Sequence, residues 1–510
     1  MTQHTEDNQR AGSPGVIVWL WPFFRPNLGH FVGAFLLLVA ATGLTILGPW
    51  LIKQAIDVDI AGRDLVGLRR TVGLFLAAQV ANLIAIYVMR NWLEWTGQRM
   101  MSALRQRLVS HVVRLPLAFH DRNTAGQLMT RIEGDTQALR MLFTTTAVML
   151  LGDLLMFVGM FAVMAMVSPR LTLVCAVVLP FLVGSSIYFQ RRIHPIFIDV
   201  RRQASEVAGR LTECLQGLNV IKAFERRRWA ASEVARVSHG KVETQIKGEQ
   251  LFILWFNLIH LLQTVAYALI LGLGGWWALA GLTTIGTLAM FIGYVRRFFE
   301  PLMRLAEQAA AIQKALGGAE RIRQLLAEPL VIEDPADPKP WPGLRSEIRF
   351  EHVWFRYQSA GEWVLRDLSF TLPAGERWAL VGPTGSGKTT IVALLLRFYD
   401  PTRGRILIDG VDLREMRQAD LRARIGFVMQ DIHLFAGDLQ ENLLLGGGDP
   451  SRLESAAQAT FASRVIERLP GGFHAKVAER GANLSVGERQ LLSFTRALVR
   501  DPELLVLDEA

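Results

Sequence analysis

Six apolar runs of membrane-spanning length lie between residues 29 and 295, and they constrain the fold more than any other feature of the chain. A helix rises 1.5 Å per residue, so roughly 20 apolar residues cross the ~30 Å hydrocarbon core of a bilayer. The runs are 29–51, 72–89, 142–167, 171–190, 251–273 and 277–295, and each predicts a transmembrane helix. Arg90 and Arg296-Arg297 stand just past the second and sixth, where they are expected to reach the interface. The one charged residue inside these runs is Asp153. A carboxylate is costly in lipid, so Asp153 is expected to face the bundle or a water-filled cavity, either against a structural partner or as a substrate or proton contact.

The connections set the topology. Runs three and four are separated by Ser168-Pro169-Arg170, and runs five and six by Gly274-Gly275-Trp276, which predicts two tight outer hairpins. Trp276 and Trp277 suit the interface belt. Residues 90–141 and 191–250 are long, rich in Arg and helical in pattern, so the positive-inside rule assigns them to the cytoplasm together with the N-terminus and everything after the sixth run. The first outer loop, 52–71, weakens this rule: Lys53, Arg63, Arg69 and Arg70 are only partly offset by Asp57, Asp59 and Asp64. Some 20 extra helical residues carry each inner extension ~30 Å beyond the membrane. Each contains a break, at Leu115-Pro116 through Asp121 and at Gly217 through Phe224. Val16–Arg25 is rich in Trp and Phe and is expected to lie in the interface.

The net charge of +9 follows from this Arg placement, and no basic patch is interleaved with aromatics. Nucleic-acid binding is therefore not expected. Cys175 and Cys214 are the only cysteines and suit neither a disulfide framework nor a metal site. The polar start of the chain does not read as a cleaved signal peptide.

After Pro301 an amphipathic pattern continues through Arg323, and a proline-rich polar stretch, Glu333 to Gly343, reads as a linker. The expected division is an N-terminal segment 1–28, a six-helix membrane domain 29–323, a linker 324–345 and a soluble domain 346–510. The soluble domain opens on an alternating strand, Ile348 to Tyr357.

Within it, Gly382-Pro383-Thr384-Gly385-Ser386-Gly387-Lys388-Thr389-Thr390 satisfies the P-loop pattern in full. It follows the strand-like run Trp378–Val381 and opens a helical one. Glycines let backbone N–H groups close around phosphate oxygens, and the helix N-terminus adds its positive end. Lys388 supplies a charge to the outer phosphates, and the Thr389 hydroxyl can join a Mg²⁺ shell. At the chain end, Leu504–Leu507 predicts a buried strand leading to Asp508, which can hold Mg²⁺, and Glu509, which can polarise the attacking water.

Between these lies Leu484-Ser485-Val486-Gly487-Glu488. With the P-loop before it and Asp508-Glu509 after it, the chain resembles the ABC transporter family, as a bacterial half-transporter of the multidrug and lipid exporter type. The resemblance runs from about residue 15 to 510 and implies an α-helical membrane domain joined to an α/β P-loop ATPase domain. It implies that Tyr357 stacks on adenine and that Gln430 senses Mg²⁺ and water. It implies that Glu479-Arg480-Gly481 meets the inner helical tips, and that residues 116–122 and 217–224 are coupling helices. Ser485 and Gly487 would contact ATP held by the P-loop of a second half-transporter.

Two departures qualify it. Leu-Ser-Val-Gly-Glu replaces the usual Leu-Ser-Gly-Gly-Gln, which favours a heterodimer with one weaker site over a homodimer. The family also continues past Glu509 with an aspartate-bearing loop and a histidine, so the ATPase domain reads as C-terminally incomplete and weak turnover is expected of this form. The expected function is ATP-driven export of a drug, lipid or peptide across the cell membrane. The alternative is an ATP-gated membrane protein that does not transport, or a regulatory subunit.

Overall fold

The computed structural model describes residues 19, 21–23, 25–329, 332–358 and 361–508, with backbone alone at 300, 302–303 and 305–307. Glu509 and residues 16–18, 20 and 24 of the expected interfacial segment lie outside the described residues. The chain forms two compact units, residues 1–109 with 129–327, and residues 110–128 with 328–510.

The first unit is helical. Helix α1 (Leu28–Gln54) continues through a π-helical turn, Ala55–Ile60, and α2 (Leu65–Arg114) follows after four residues. The connection between α1 and α2 is therefore much shorter than the expected loop 52–71. Helix α3 (Leu117–Arg122) belongs to the second unit. Helix α4 (Ala125–Val167) contains two π-helical turns. Ser168 caps α5 (Pro169–Gln216), accepting from the Leu171 N–H at 3.5 Å, with Pro169 at the first helical position. That is where proline's missing donor costs nothing, so the predicted hairpin forms. The break expected at 217–224 is α6 (Leu218–Ala223), followed by α7 (Arg227–Leu279).

The fifth connection differs from expectation. Helix α7 does not stop at Gly274; it runs to Leu279, and the chain turns at 280–284 before α8 (Ile285–Ala327). The run 277–295 is thus cut by a turn, and its apolar part continues from Ile285 in α8. Among the described residues five helices are long and apolar enough to cross a membrane, and α8 is not one of them. Its apolar part is buried in the bundle: Met290, Phe291 and Tyr294 are fully enclosed, and the Tyr294 hydroxyl donates to the Ile46 carbonyl at 2.7 Å. Helix α8 continues through Arg296-Arg297, and Phe298 packs on Phe157 of α4 with centroids 4.4 Å apart.

The second unit is α/β. Strands β1 (Glu347–Phe355) and β2 (Leu365–Pro373), then β3 (Arg403–Ile408) and β4 (Val411–Asp412), form an antiparallel sheet ordered β2-β1-β3-β4. Strand β1 buries Ile348, Phe350, Val353 and Phe355, and a register shift between Phe350 and Val353 keeps all four on the core side. Strands β5 (Ile425–Val428) and β8 (Leu504–Leu507) pair in parallel, and β6 (Gly437–Asp438) pairs with β7 (Lys476–Val477). One core cluster joins β1, β2 and β3 to the helix after the P-loop and takes in Phe427, Leu504 and Val506 at its margin. A second, built on Leu434, Leu439, Leu443, Val477 and Leu492, underlies the segment around Ser485.

Candidate functional site

The P-loop follows irregular chain, not a strand. Trp378–Val381 forms no ladder, and Val381 is 88% exposed. A four-residue apolar run becomes a strand only where a neighbour supplies hydrogen bonds, and the parallel pair β5–β8 does not extend to it. The Trp378 ring instead stacks on Phe370 of β2, with centroids 6.0 Å apart.

The loop itself has the expected backbone. Gly385 and Gly387 have φ of 87° and 91°. Gly387 also caps helix Lys388–Leu395, where a Cβ would stand 2.7 Å from Leu365 Cδ2. Only glycine meets both conditions without strain. The Lys388 ammonium folds back over its loop and donates to the carbonyls of Gly382 at 2.7 Å and Pro383 at 3.0 Å. Ser386 Oγ lies against Gly382, and Thr389 and Thr390 occupy the first helical turn. Loop residues 382–386 are exposed.

Tyr357 reaches this helix. Its hydroxyl shares a 2.9 Å hydrogen bond with Thr390 Oγ1, and its ring lies edge-on to Phe355 and Tyr399, at 4.9 Å and 5.2 Å. It is 44% exposed, so one side of the ring faces outward beside the P-loop helix.

Parallel pairing brings the remaining polar groups to one edge. Val428 pairs with Leu507, and the Asp508 N–H donates to the Val428 carbonyl at 3.0 Å. Gln430 and Asp508 therefore leave the same end of adjacent strands, the end where open α/β sheets bind ligands. Strand β8 is not the buried strand expected: Leu505 and Leu507 are 42% and 46% exposed, because it is paired on one side alone. Among the described residues no group of three or more His, Cys, Asp or Glu is gathered for a metal.

Ser485 begins helix Val486–Leu498 with a capping box. The Glu488 N–H donates to Ser485 Oγ at 3.3 Å, and the Ser485 N–H donates to the Glu488 carboxylate at 2.8 Å. That backbone donor, then the serine hydroxyl, holds the Glu488 carboxyl below its ordinary value. Arg468 also pairs with it at 3.0 Å. Val486 and Gly487 face outward. Glu479-Arg480-Gly481 forms a tight turn with Arg480 at φ 54°, and Arg489 of the same helix donates to the Gly481 and Leu484 carbonyls.

One partner of the site was not readable from the chain. Tyr399, just after the P-loop helix, donates its hydroxyl to Asp121 of α3, and Ala118 of α3 packs on the core cluster beneath the P-loop helix. Burial, then this hydrogen bond, pushes the Tyr399 phenol well above its ordinary range. The residues stand 278 positions apart, and no local pattern signals the pairing.

Residues 31–302 match the family described as ABC transporter transmembrane region, and residues 365–510 match that described as ABC transporter. The chain is 33% identical over 498 residues to the uncharacterized ABC transporter ATP-binding protein YfiC of Bacillus subtilis, covering 97% of this chain and 82% of that protein. It is 34% identical over 452 residues to a fatty acid ABC transporter ATP-binding/permease protein of Mycobacterium bovis, covering 88% of this chain and 71% of that protein. The solved structure of a bacterial Atm1-family ABC exporter with ATP bound superposes with a TM-score of 0.74 at 25% identity, covering 95% of this chain and 86% of that chain.

Proposed function

The chain belongs to the ABC transporter family, as an exporter half with its membrane region and ATPase fused, and from that premise we propose how its residues serve an ATPase coupled to transport. The reading rests on a complete P-loop, with Gly387 and Lys388 at a helix start, and on the core that packs this helix against β5, the strand that leads to Gln430 and pairs with the strand before Asp508.

ATP binds along Gly382–Thr390. Backbone N–H groups and the helix N-terminus hold the phosphate oxygens, Lys388 exchanges its two loop carbonyls for the outer phosphates, and Tyr357 offers its outward face to adenine. The donors at this edge are oxygens, the Thr389 hydroxyl, the Gln430 amide and the Asp508 carboxylate, which suits Mg²⁺ completed by phosphate and water. Bound there, Mg²⁺ would neutralise charge on the phosphates. Glu509, next after Asp508, orients the attacking water, and Gln430 positions it.

Half-transporters of this kind work as dimers. Ser485 and Gly487 then face ATP on the partner's P-loop, and closure around ATP favours one membrane conformation over the other. The capping box supports a heterodimer: it spends the Ser485 N–H on Glu488 and adds a carboxylate to a helix start that would otherwise favour phosphate. The Arg-rich extensions of α2, α5 and α7 support a cytoplasmic ATPase and N-terminus. The substrate is a hydrophobic or amphipathic drug, lipid or peptide.

The test is binding of Mg-ATP to the full chain and ATP-dependent uptake of hydrophobic dyes and lipids into inverted vesicles. Lys388→Ala is expected to weaken binding at least about tenfold, the loss of one charge-assisted contact. Equal affinity would refute the assignment. Dissipation of a gradient without accumulation would identify a gated pore instead.

A further inference from the structure

The polar, proline-rich stretch that follows α8 is hydrogen-bonded to the ATPase fold at intervals along its length. The Gln418 N–H donates to the Asp334 carboxylate at 2.8 Å. Arg397, two residues past the P-loop helix, donates to the Glu333 carbonyl at 3.2 Å. Lys339 pairs with Glu415 at 2.8 Å. The next clasp is at Glu503. Its Oε2 accepts from the Trp341 indole N–H at 3.0 Å and from the Leu344 N–H at 2.9 Å. The donor segment is itself fixed, because the N–H groups of Arg345, Ser346 and Glu347 donate to the Asp409 carboxylate at 2.6, 2.9 and 2.8 Å.

Glu503 is the residue before β8, the strand that ends at Asp508. This strand is short and weakly held. It has four residues, pairs with β5 alone, and buries none of them fully. A slip of one residue would turn every side chain to the other face and carry Asp508 away from its place. Burial fixes a register where one face is enclosed, and here Leu504 and Val506 reach only the margin of the core. The start of the strand therefore needs an anchor. The Glu503 and Leu504 N–H groups both donate to the Arg424 carbonyl, at 2.9 and 3.2 Å, and the Glu503 side chain adds the two bonds from Trp341 and Leu344. Trp341 and Leu344 also pack at the same core margin as Leu504. The Arg424 guanidinium stands 3.6 Å from Glu503 Oε1, beyond hydrogen-bond reach, so the linker and not this ion pair holds the carboxylate.

We propose that Trp341 and Glu503 are positioning residues of the nucleotide site: the linker, clasped on Glu503, keeps β8 in the register that sets Asp508 for Mg²⁺. Neither residue touches nucleotide or metal. Both act through the strand, from its opposite end. The inference rests on the metal role proposed above for Asp508, and the test separates the two.

The affinity of the full chain for ATP is measured in Mg²⁺ and again in EDTA, and the ratio of the two is the gain due to the metal. Amide exchange and thermal melting are followed on the same samples. Asp508→Asn sets the scale and is expected to lower the ratio about tenfold, the value of one charge-assisted contact. Glu503→Ala should approach that loss. Trp341→Phe keeps the ring and removes one donor, so the ratio should fall severalfold, with exchange over residues 504–508 raised about tenfold and exchange over 388–395 unchanged. Glu503→Gln keeps an acceptor oxygen for both donors and should retain most of the ratio. Arg424→Gln should leave it at the parent value. Affinity in EDTA should be the same throughout, because the P-loop is untouched.

If Trp341→Phe and Glu503→Ala melt earlier but keep the parent's ratio, the clasp is structural alone and the proposal is overturned. A loss in Arg424→Gln equal to that in Glu503→Ala would also overturn it, since the ion pair would then be the anchor. Should Glu503→Ala fail to fold, Trp341→Phe decides by the same two readouts. If Asp508→Asn lowers the ratio and the linker variants do not, this proposal alone fails; if Asp508→Asn changes nothing, the metal role of Asp508 fails with it.

Discussion

The hydroxyl of Tyr399 donates to the carboxylate of Asp121, joining the end of the P-loop helix segment to the short helix α3 that follows α2. Both lie in the unit that holds the nucleotide site, with Phe119 buried beside them and the His120 ring hydrogen-bonded to the Val112 carbonyl. A hydrogen bond to a charged acceptor contributes about 1.5–3 kcal/mol. Tyr399→Phe keeps the ring packing on Phe355 and Tyr357 and removes only that bond. Amide exchange over residues 117–122 is expected to rise roughly ten- to hundredfold, with Mg-ATP affinity unchanged. Unchanged exchange in this segment would show that the bond does not anchor α3.

Gly387→Ala is expected to cripple nucleotide binding without unfolding the chain. Alanine at φ 91° costs about 1–2 kcal/mol, and its methyl would meet Leu365 Cδ2 at 2.7 Å. Mg-ATP affinity should fall at least about tenfold. Adding Leu365→Ala relieves the contact but not the backbone strain, so only part of the loss should return.

The Ser485–Glu488 box makes a signed prediction for pH. The Glu488 carboxyl is held below its ordinary value of 4.5 by the Ser485 N–H, so its anion is the form the fold prefers. Its contribution is present above that ordinary value and is lost as pH falls through the lowered one. Thermal melts of Glu488→Gln against the parent should therefore differ at pH 7 and converge in acid. Ser485→Ala should cost about 0.5–2 kcal/mol, and the double variant should cost less than the sum because both bonds belong to one box.

Asp57 ties the C-terminal end of the α1 helical run to the start of α8. It accepts from Thr284 Oγ1 at 2.5 Å and from the Gly286 N–H at 2.8 Å, and pairs with Lys53 at 3.2 Å. Asp57→Ala is expected to lower stability by about 2–3 kcal/mol, read as an earlier thermal transition of the detergent-solubilised protein. Gly286→Ala should do the same for a different reason, since a Cβ there stands 2.6 Å from the Asp57 carboxyl.

Much of this was legible along the chain because it depends on neighbours in sequence. Twenty apolar residues are a membrane helix by length and polarity alone, Ser168-Pro169 starts a helix by its own capping chemistry, and Gly385 and Gly387 are needed for a backbone that other residues resist. The same holds for the breaks at Pro116 and Gly217, where α3 and α6 form.

The tertiary structure decided whatever requires a distant partner. Trp378–Val381 has the residues of a strand but no neighbour to complete its ladder. The apolar face of α8 packs against α1 and α4, and no pattern along the chain names those partners. Asp153 was known only as costly until Arg304 and Gln308, more than 150 positions away, closed on it. Helix starts, turns and spans are set by interactions across a few residues or by the solvent. Strand pairing and the choice of a polar partner are set by which segments meet, and that depends on how the whole chain packs.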